Sequence, residues 1–325
     1  MIENPIDPIP NTRSSAHPYH DDYDLFGWRV RTDFSLPELP FWAGDSRAPD
    51  LVITSGPIMA LDEKAQRFSP RIFFTDTALI FDVPEVARYR IDGGHLVTIE
   101  AASGVAPDAP EIRLFFFGTV LAILCFRRGL IPLHASAVVV DGRALLISGD
   151  SGMGKSTLAA ALVARGYPLL SDDLCALDLC APDDPMIRPC MAHLKLWKDS
   201  AEYLDMPTDP WARVRKGLDK FRIPIQTFMS PPMAPGAIIM LDQAHQASDA
   251  GGRRLWGTEA LRYDLIHRYR LGLALGYQIP MLSALAALAK LTPIIQLKRV
   301  KNLNALPDLV DSVLALARDE AGKAA

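Results

Sequence analysis

Residues Gly149-Asp150-Ser151-Gly152-Met153-Gly154-Lys155-Ser156-Thr157 complete the pattern G-x-x-x-x-G-K-[ST] of a phosphate-binding loop. Each part of the pattern has a physical purpose. The glycines permit a backbone path that turns successive N–H groups toward an anion without an intervening Cβ. Lys155 brings a mobile positive charge to the β- and γ-phosphates, and the Ser156 hydroxyl is suited to Mg²⁺. The flanks agree: Arg143–Ser148 reads as a buried strand, and Thr157–Arg165 is made of strong helix formers. Strand, glycine loop and helix together aim a helix N-terminus at phosphate. The sequence therefore predicts a nucleoside-triphosphate site that takes ATP and Mg²⁺ and uses all nine loop residues.

The rest of the chain limits what such a site serves. A chain of 325 residues, 49% hydrophobic, can bury two ordinary cores. Its net charge of −4 is split, with −8 through residue 118 and +4 beyond it. A mildly basic second half suits a polyphosphate ligand, whereas the absence of a basic, aromatic-interleaved stripe argues against nucleic acid. Cys125, Cys175, Cys180 and Cys190 form no C-x-x-C pair and read as buried thiols of a reducing cytoplasm. The opening residues lack the basic-then-apolar order of a signal peptide. Leu114–Phe126 is too short to span a membrane, and Leu271–Ala289 is interrupted by Gly276, Gln278 and Pro280. A soluble, cytoplasmic protein without a membrane partner is expected.

Three regions follow from the patterning. Residues 1–22, rich in Pro, Asp, Asn and Ser, predict a flexible arm. Residues 23–111 contain short apolar runs (Phe26–Val30, Leu51–Thr54, Arg71–Thr75, Ala78–Val83, Ala87–Ile91, Leu96–Glu100) between turn residues, with a hairpin at Asp92-Gly93-Gly94, and predict a small β-rich domain. From 112 to 325 helices alternate with strands, which predicts an α/β domain. There we expect a helix over Glu111–Arg128 ended by Gly129. Strands are expected over Pro132–Val140, Leu169–Asp172, Gly236–Asp242 and Pro293–Val300, and helices over Glu259–Arg270 and Ala305–Ala317.

Candidate chemistry beyond the loop centres on Asp172 and Asp173, which end a short strand. Strand alternation would point them in opposed directions, so one can hold Mg²⁺ while the other accepts a proton. A solvated turn is the plainer alternative. His134 opens the strand pair leading into the loop and is either a structural histidine or a group that tunes an aspartate. The apolar strand ending in Asp242 competes for the metal, as in many nucleoside triphosphatases. Lys195, Lys198, Lys216, Lys220 and Arg222 are candidate cations for a phosphate or an acceptor carboxylate, or simply a solvated face.

The run from His134 through Gly-Asp-Ser-Gly-Met-Gly-Lys-Ser to Arg165-Gly166-Tyr167 and Asp172-Asp173 resembles the HPr kinase/phosphorylase family, serine kinases with a loop related to that of phosphoenolpyruvate carboxykinase. The resemblance covers residues 132–173 strongly and the rest of the second half weakly. It implies a P-loop kinase domain of that type and places His134 at the reaction centre. It implies phosphate binding by Lys155, metal binding by Ser156, and a base in the aspartate pair, for which Asp173 is favoured. The resembled kinases assemble into rings, which makes a homo-oligomer a candidate state. The family's glycine-rich signature with its metal-binding glutamate is missing; Arg188-Pro189 and Leu194-Lys195-Leu196-Trp197-Lys198-Asp199 stand in its place. Phosphorylase activity is therefore not expected. As a whole the chain more resembles HPr-kinase-like proteins of biosynthetic gene clusters, among them lasso-peptide kinases that act on a C-terminal serine.

The sequence thus predicts an ATP-dependent serine kinase for a peptide or small protein. The alternatives are a switch or ATPase using Asp242, a small-molecule kinase, and a non-enzymatic ATP-binding assembly factor.

Overall fold

The computed structural model describes residues 22–179, 184–206, 208, 213–215 and 217–324. Cys180, Lys216 and all but the last residue of the expected arm lie outside this set, while Asp22 already begins a strand.

The first region forms an eight-stranded sheet. In spatial order it runs Asp22–Leu25, Trp28–Thr32, Leu51–Ser55, Leu96–Ala101, Ala87–Asp92, Ala78–Val83, Ile72–Phe74 and Gln66–Ser69. Asp92 pairs with Leu96 across the expected glycine hairpin. Alternate residues such as Tyr89, Ile91, Val97 and Ile99 turn inward onto the helical segment 110–127, whose Ile112, Phe116, Val120 and Leu124 share their core. Each such aliphatic side chain contributes about 1.5–3 kcal/mol when fully buried.

That segment is not the single helix the periodicity predicts. It runs Pro110–Phe115, passes through a π-helical turn at Phe116–Val120, and resumes over Leu121–Arg127. Gly129 (φ 77°) closes it: its N–H bonds the Phe126 carbonyl and that of Leu130 the Cys125 carbonyl, the Schellman pattern.

The phosphate loop belongs to a six-stranded sheet in the order Leu169–Ser171, Ala135–Val140, Arg143–Gly149, Pro235–Gln243, Ile294–Arg299, Gly251–Leu255. The loop strand is parallel to Pro235–Gln243, itself parallel to Ile294–Arg299. Helices Lys155–Ala164 and Leu306–Ala324 pack on one face through Leu158, Leu162, Val310 and Val313. Helix Gln278–Leu291 covers the other through Met281, Leu285 and Leu288. Helices on both faces of a mixed sheet, whose loop strand and next two strands are parallel and whose other pairs are antiparallel, make this an α/β domain.

Two strand expectations are corrected together. Pro132–Val140 is not continuous: Ile131–Leu133 pairs with Cys175–Asp178 in a separate three-stranded sheet, and Ala135–Val140 enters the six-stranded one. Likewise Leu169–Ser171 stops one residue short of Asp172, and Cys175–Asp178 continues in the other sheet. Both chains change sheets at the same place. His134 and Asp172-Asp173 occupy the two crossings.

The helix expected over Glu259–Arg270 is replaced by short 3₁₀ turns at Gly257–Ala260 and Tyr263–Leu265 and a helix only from Tyr269. Its backbone groups are spent on a neighbour: His134 N–H bonds the Leu265 carbonyl, and His267 N–H bonds that of Pro132. The apolar stretch after it divides, as expected, into Tyr269–Ala274 and Gln278–Leu291. Cys125, Cys175 and Cys190 are buried free thiols. Among the described residues no helix is long and apolar enough to cross a membrane.

Candidate active site

Backbone geometry builds the loop first. Gly149, Gly152 and Gly154 adopt φ of 135°, 84° and 81°, where an L side chain is strained. A Cβ on Gly149 would also collide with the Leu241 carbonyl oxygen on the adjacent parallel strand. Helix Lys155–Ala164 begins directly after Gly154, so its unbonded first-turn N–H groups face the loop's hollow. Lys155 is 8% exposed, and its ammonium donates to the Gly149 and Asp150 carbonyls at 2.8 and 3.1 Å. Burial lowers its pKa. Arg299 braces the loop from the side, donating to the Met153 carbonyl at 2.6 Å.

A cavity of about 540 Å³ opens beside the loop, large enough for a nucleotide. Ser151, Gly152, Gly154, Lys155, Ser156 and Thr157 line it, with His134, Asp173 and Lys195. Lys198, Lys220 and Arg299 add positive charge to its walls. The remaining loop residues, Gly149, Asp150 and Met153, line a smaller hollow of about 230 Å³ on another side.

Asp172 is 2% exposed and fully engaged. Its Oδ1 accepts from the hydroxyls of Ser136 (2.6 Å) and Ser156 (2.9 Å), and its Oδ2 from the Lys195 backbone N–H (2.8 Å). Asp173 accepts from Lys195 Nζ at 2.8 Å, and its Oδ1 lies 3.8 Å from His134 Nδ1. Strand alternation does not separate the pair. The strand has ended, and Asp173 (φ 72°) takes a left-handed turn that brings both residues to Lys195. The Lys195 ammonium holds the Asp173 carboxyl well below the usual range.

His134 Nδ1 lies 3.2 Å from the Asp173 carbonyl oxygen, a contact that requires the proton on Nδ1. Burial, and then the Lys155 charge, lower its pKa, so the ring is neutral at pH 7. It packs against His267 at 5.1 Å between centroids; burial pushes His267 down to about 3.

The donors fit Mg²⁺. Octahedral Mg–O bonds of about 2.0–2.1 Å place adjacent ligand oxygens about 2.9 Å apart, and Ser156 Oγ and Asp172 Oδ1 are separated by 2.9 Å. No group of three or more His, Cys, Asp or Glu side chains among the described residues is placed to hold a metal. Asp242 stands elsewhere: its Oδ2 accepts from Gln296 Nε2 at 2.9 Å, and it lines the smaller hollow.

Comparison with known proteins gives a local likeness. The chain is 54% identical over 44 residues to the HPr kinase/phosphorylase of Treponema pallidum, 14% of each chain. It is 44% identical over 55 residues to that of Clostridium botulinum (17% of each) and 39% over 66 to that of Lacticaseibacillus casei (19% of this chain, 20% of the relative). One region of this protein is HPr kinase/phosphorylase-like. The matches span only about a fifth or less of these relatives' length. No family model matches. The Hpr(Ser) kinase/phosphatase from Coxiella burnetii aligns over 58% of this chain and 97% of its own at 15% identity, with a TM-score of 0.32.

Sequence reasoning missed four members of this neighbourhood. Ser136 was within reach, because it lies two residues after His134 and so on the same face. His267 and Arg268 were hidden in a segment read as helix. Arg268 adopts φ 58°, and the charge of Asp173 acts on it. Arg299 gave no signal beyond ending an apolar strand. Of the four candidate cations among the described residues, Lys195, Lys198 and Lys220 line the cavity and Arg222 does not.

Proposed function

We propose that the protein is an ATP-dependent kinase that transfers the γ-phosphate to a seryl hydroxyl of a peptide or small protein. The observation that carries this reading is the bond from Ser156 of the loop to Asp172, with Asp173 beside it on the same cavity. A second carboxylate beside the loop serine can accept the proton of an attacking seryl hydroxyl.

In this reading the loop N–H groups and Lys155 hold the β- and γ-phosphates. Ser156 and Asp172 would hold Mg²⁺, which when bound neutralises phosphate charge. The seryl oxygen attacks the γ-phosphorus in line, the bond to the β,γ-bridging oxygen breaks, and ADP leaves. Asp173 takes the seryl proton and later returns it to solvent. Its pairing with Lys195 makes it a weak acceptor until the ammonium has another anion to face, and an entering terminal phosphate supplies one in the same cavity. Lys195 then offsets charge on the transferred group. His134, neutral with its Nδ1 proton on the Asp173 carbonyl, fixes that residue's left-handed turn.

The likeness to HPr kinase/phosphorylases supports a small-protein acceptor, and the resemblance to lasso-peptide kinases supports a peptide ending in serine. Incubation with γ-labelled ATP, Mg²⁺ and both acceptor classes tests the proposal, which expects acid-stable phosphoserine. The kinase reading is favoured over an ATPase centred on Asp242 because Ser156 bonds Asp172 and Asp242 is held by Gln296.

A further inference from the structure

Lys195 reaches the site on a two-stranded hairpin, His193–Trp197 with Lys220–Pro224, whose Leu194, Leu196, Phe221 and Ile223 are buried in the core beneath helix Lys155–Ala164. The opposite face is polar, and there Lys195 is directly paired with Arg222. Two like charges opposite one another on a sheet repel, and both are nearly buried, at 6% and 8% exposure. Each cation therefore needs its own carboxylate. Lys195 has Asp173. Arg222 has Glu38, contributed by the first region from beyond its strand Trp28–Thr32.

Glu38 is 2% exposed. Its Oε1 meets Arg222 Nη1 at 2.5 Å and Arg113 Nε at 2.7 Å, so three separate parts of the chain close on one carboxylate. Neighbouring His193, pushed down to about 4 chiefly by burial, adds no charge at pH 7.

From this arrangement we infer that Glu38 and Arg222 are positioning residues of the active site: the ion pair to the turn at Glu38 holds the hairpin so that Lys195 faces Asp173 and the terminal phosphate. The first region then has a role in the chemistry without touching substrate. The inference rests on the reading that Lys195 meets the γ-phosphate.

Equilibrium binding of ATP and ADP to the full-length protein tests it without requiring turnover. Lys195→Met is expected to lower the preference for ATP over ADP about tenfold, the worth of a charge-assisted hydrogen bond. Arg222→Met leaves Glu38 paired with Arg113. It is expected to lose several-fold of the same preference while ADP affinity stays within about twofold, and to add nothing in the Lys195→Met background. Should Arg222→Met not fold, Arg222→Lys, which keeps the charge but loses the guanidinium geometry, is expected to show the same loss. A wild-type ATP preference in the folded Arg222 variant, or losses that multiply in the double variant, overturns the inference. A wild-type preference in Lys195→Met instead overturns the γ-phosphate reading beneath it.

Discussion

Ser156 and Asp172 share a 2.9 Å hydrogen bond that ties the first turn of the loop helix to the point where the chain leaves strand Leu169–Ser171. Three donors converge on this one carboxylate, so its position is fixed before any ligand arrives. Asp172→Asn should fold, because its amide oxygen can accept from the Lys195 N–H while its NH2 takes the place of Oδ1 and donates to the two serine hydroxyls. It should lose the metal oxygen, weakening Mg²⁺-dependent ATP binding at least tenfold while metal-free binding changes little. Titrating Mg²⁺ against nucleotide affinity checks this. Asp172→Ala leaves two hydroxyls and an N–H without their partner and should also destabilise the fold by about 1–3 kcal/mol, read from thermal melting.

Gly149→Ala should damage the loop through its backbone. At φ 135° the new Cβ meets both an unfavourable conformation and the Leu241 carbonyl of the adjacent strand. A cost of about 1–3 kcal/mol for the conformation alone is expected, together with loss of nucleotide binding by calorimetry. Gly142→Ala is the control. It lies at φ 76° in a turn with nothing near the added carbon, and it should lose stability but keep binding.

Mild acid should destabilise the protein through its buried imidazoles. His267 is held at about 3 and His193 at about 4, in both cases mainly by burial. Both lie below the unfolded value of about 6.5, so folding favours the neutral rings. That contribution is complete above pH 6.5 and is lost as the pH falls toward 4 and 3. Melting temperature should therefore decline from about pH 6.5 downward, before most carboxylates titrate. The decline should be shallower in His267→Gln.

Asp242→Asn separates the kinase reading from its rival. Asp242 accepts from Gln296 and does not bond the loop serine. Phosphoryl transfer should stay within about threefold of wild type, an effect of less than 1 kcal/mol. A drop of a hundredfold or more, with Mg²⁺ dependence lost, would return the metal to this strand.

The phosphate loop, the α/β pattern and the β-rich first region were legible in the sequence because each rests on local rules: glycine geometry, hydrophobic period and turn residues. The double crossing that brings His134 to Asp172 and Asp173 was not. Both crossings fall inside strand-like stretches, Pro132–Val140 and Leu169–Leu177, that carry no Gly or internal Pro, so nothing local marks a change of sheet. The segment with His267 and Arg268 has a helical apolar pattern, yet its backbone bonds to Ile131–Leu133; tertiary pairing overrode the local preference. Glu38 was invisible for the opposite reason. Nothing near residue 38 signals that its partners are Arg113 and Arg222, far along the chain.

The central claim is that Asp173 accepts a seryl proton beside a loop-bound triphosphate. Its most direct test is γ-labelled ATP with Mg²⁺ and serine-bearing acceptors, comparing wild type with Asp173→Asn under single turnover. The account predicts phosphoserine from wild type. It also predicts unchanged ATP affinity in the variant with transfer slowed about a hundredfold or more, the usual worth of a positioned base. Transfer at the wild-type rate by Asp173→Asn, or release of inorganic phosphate alone by wild type with every acceptor, would contradict it.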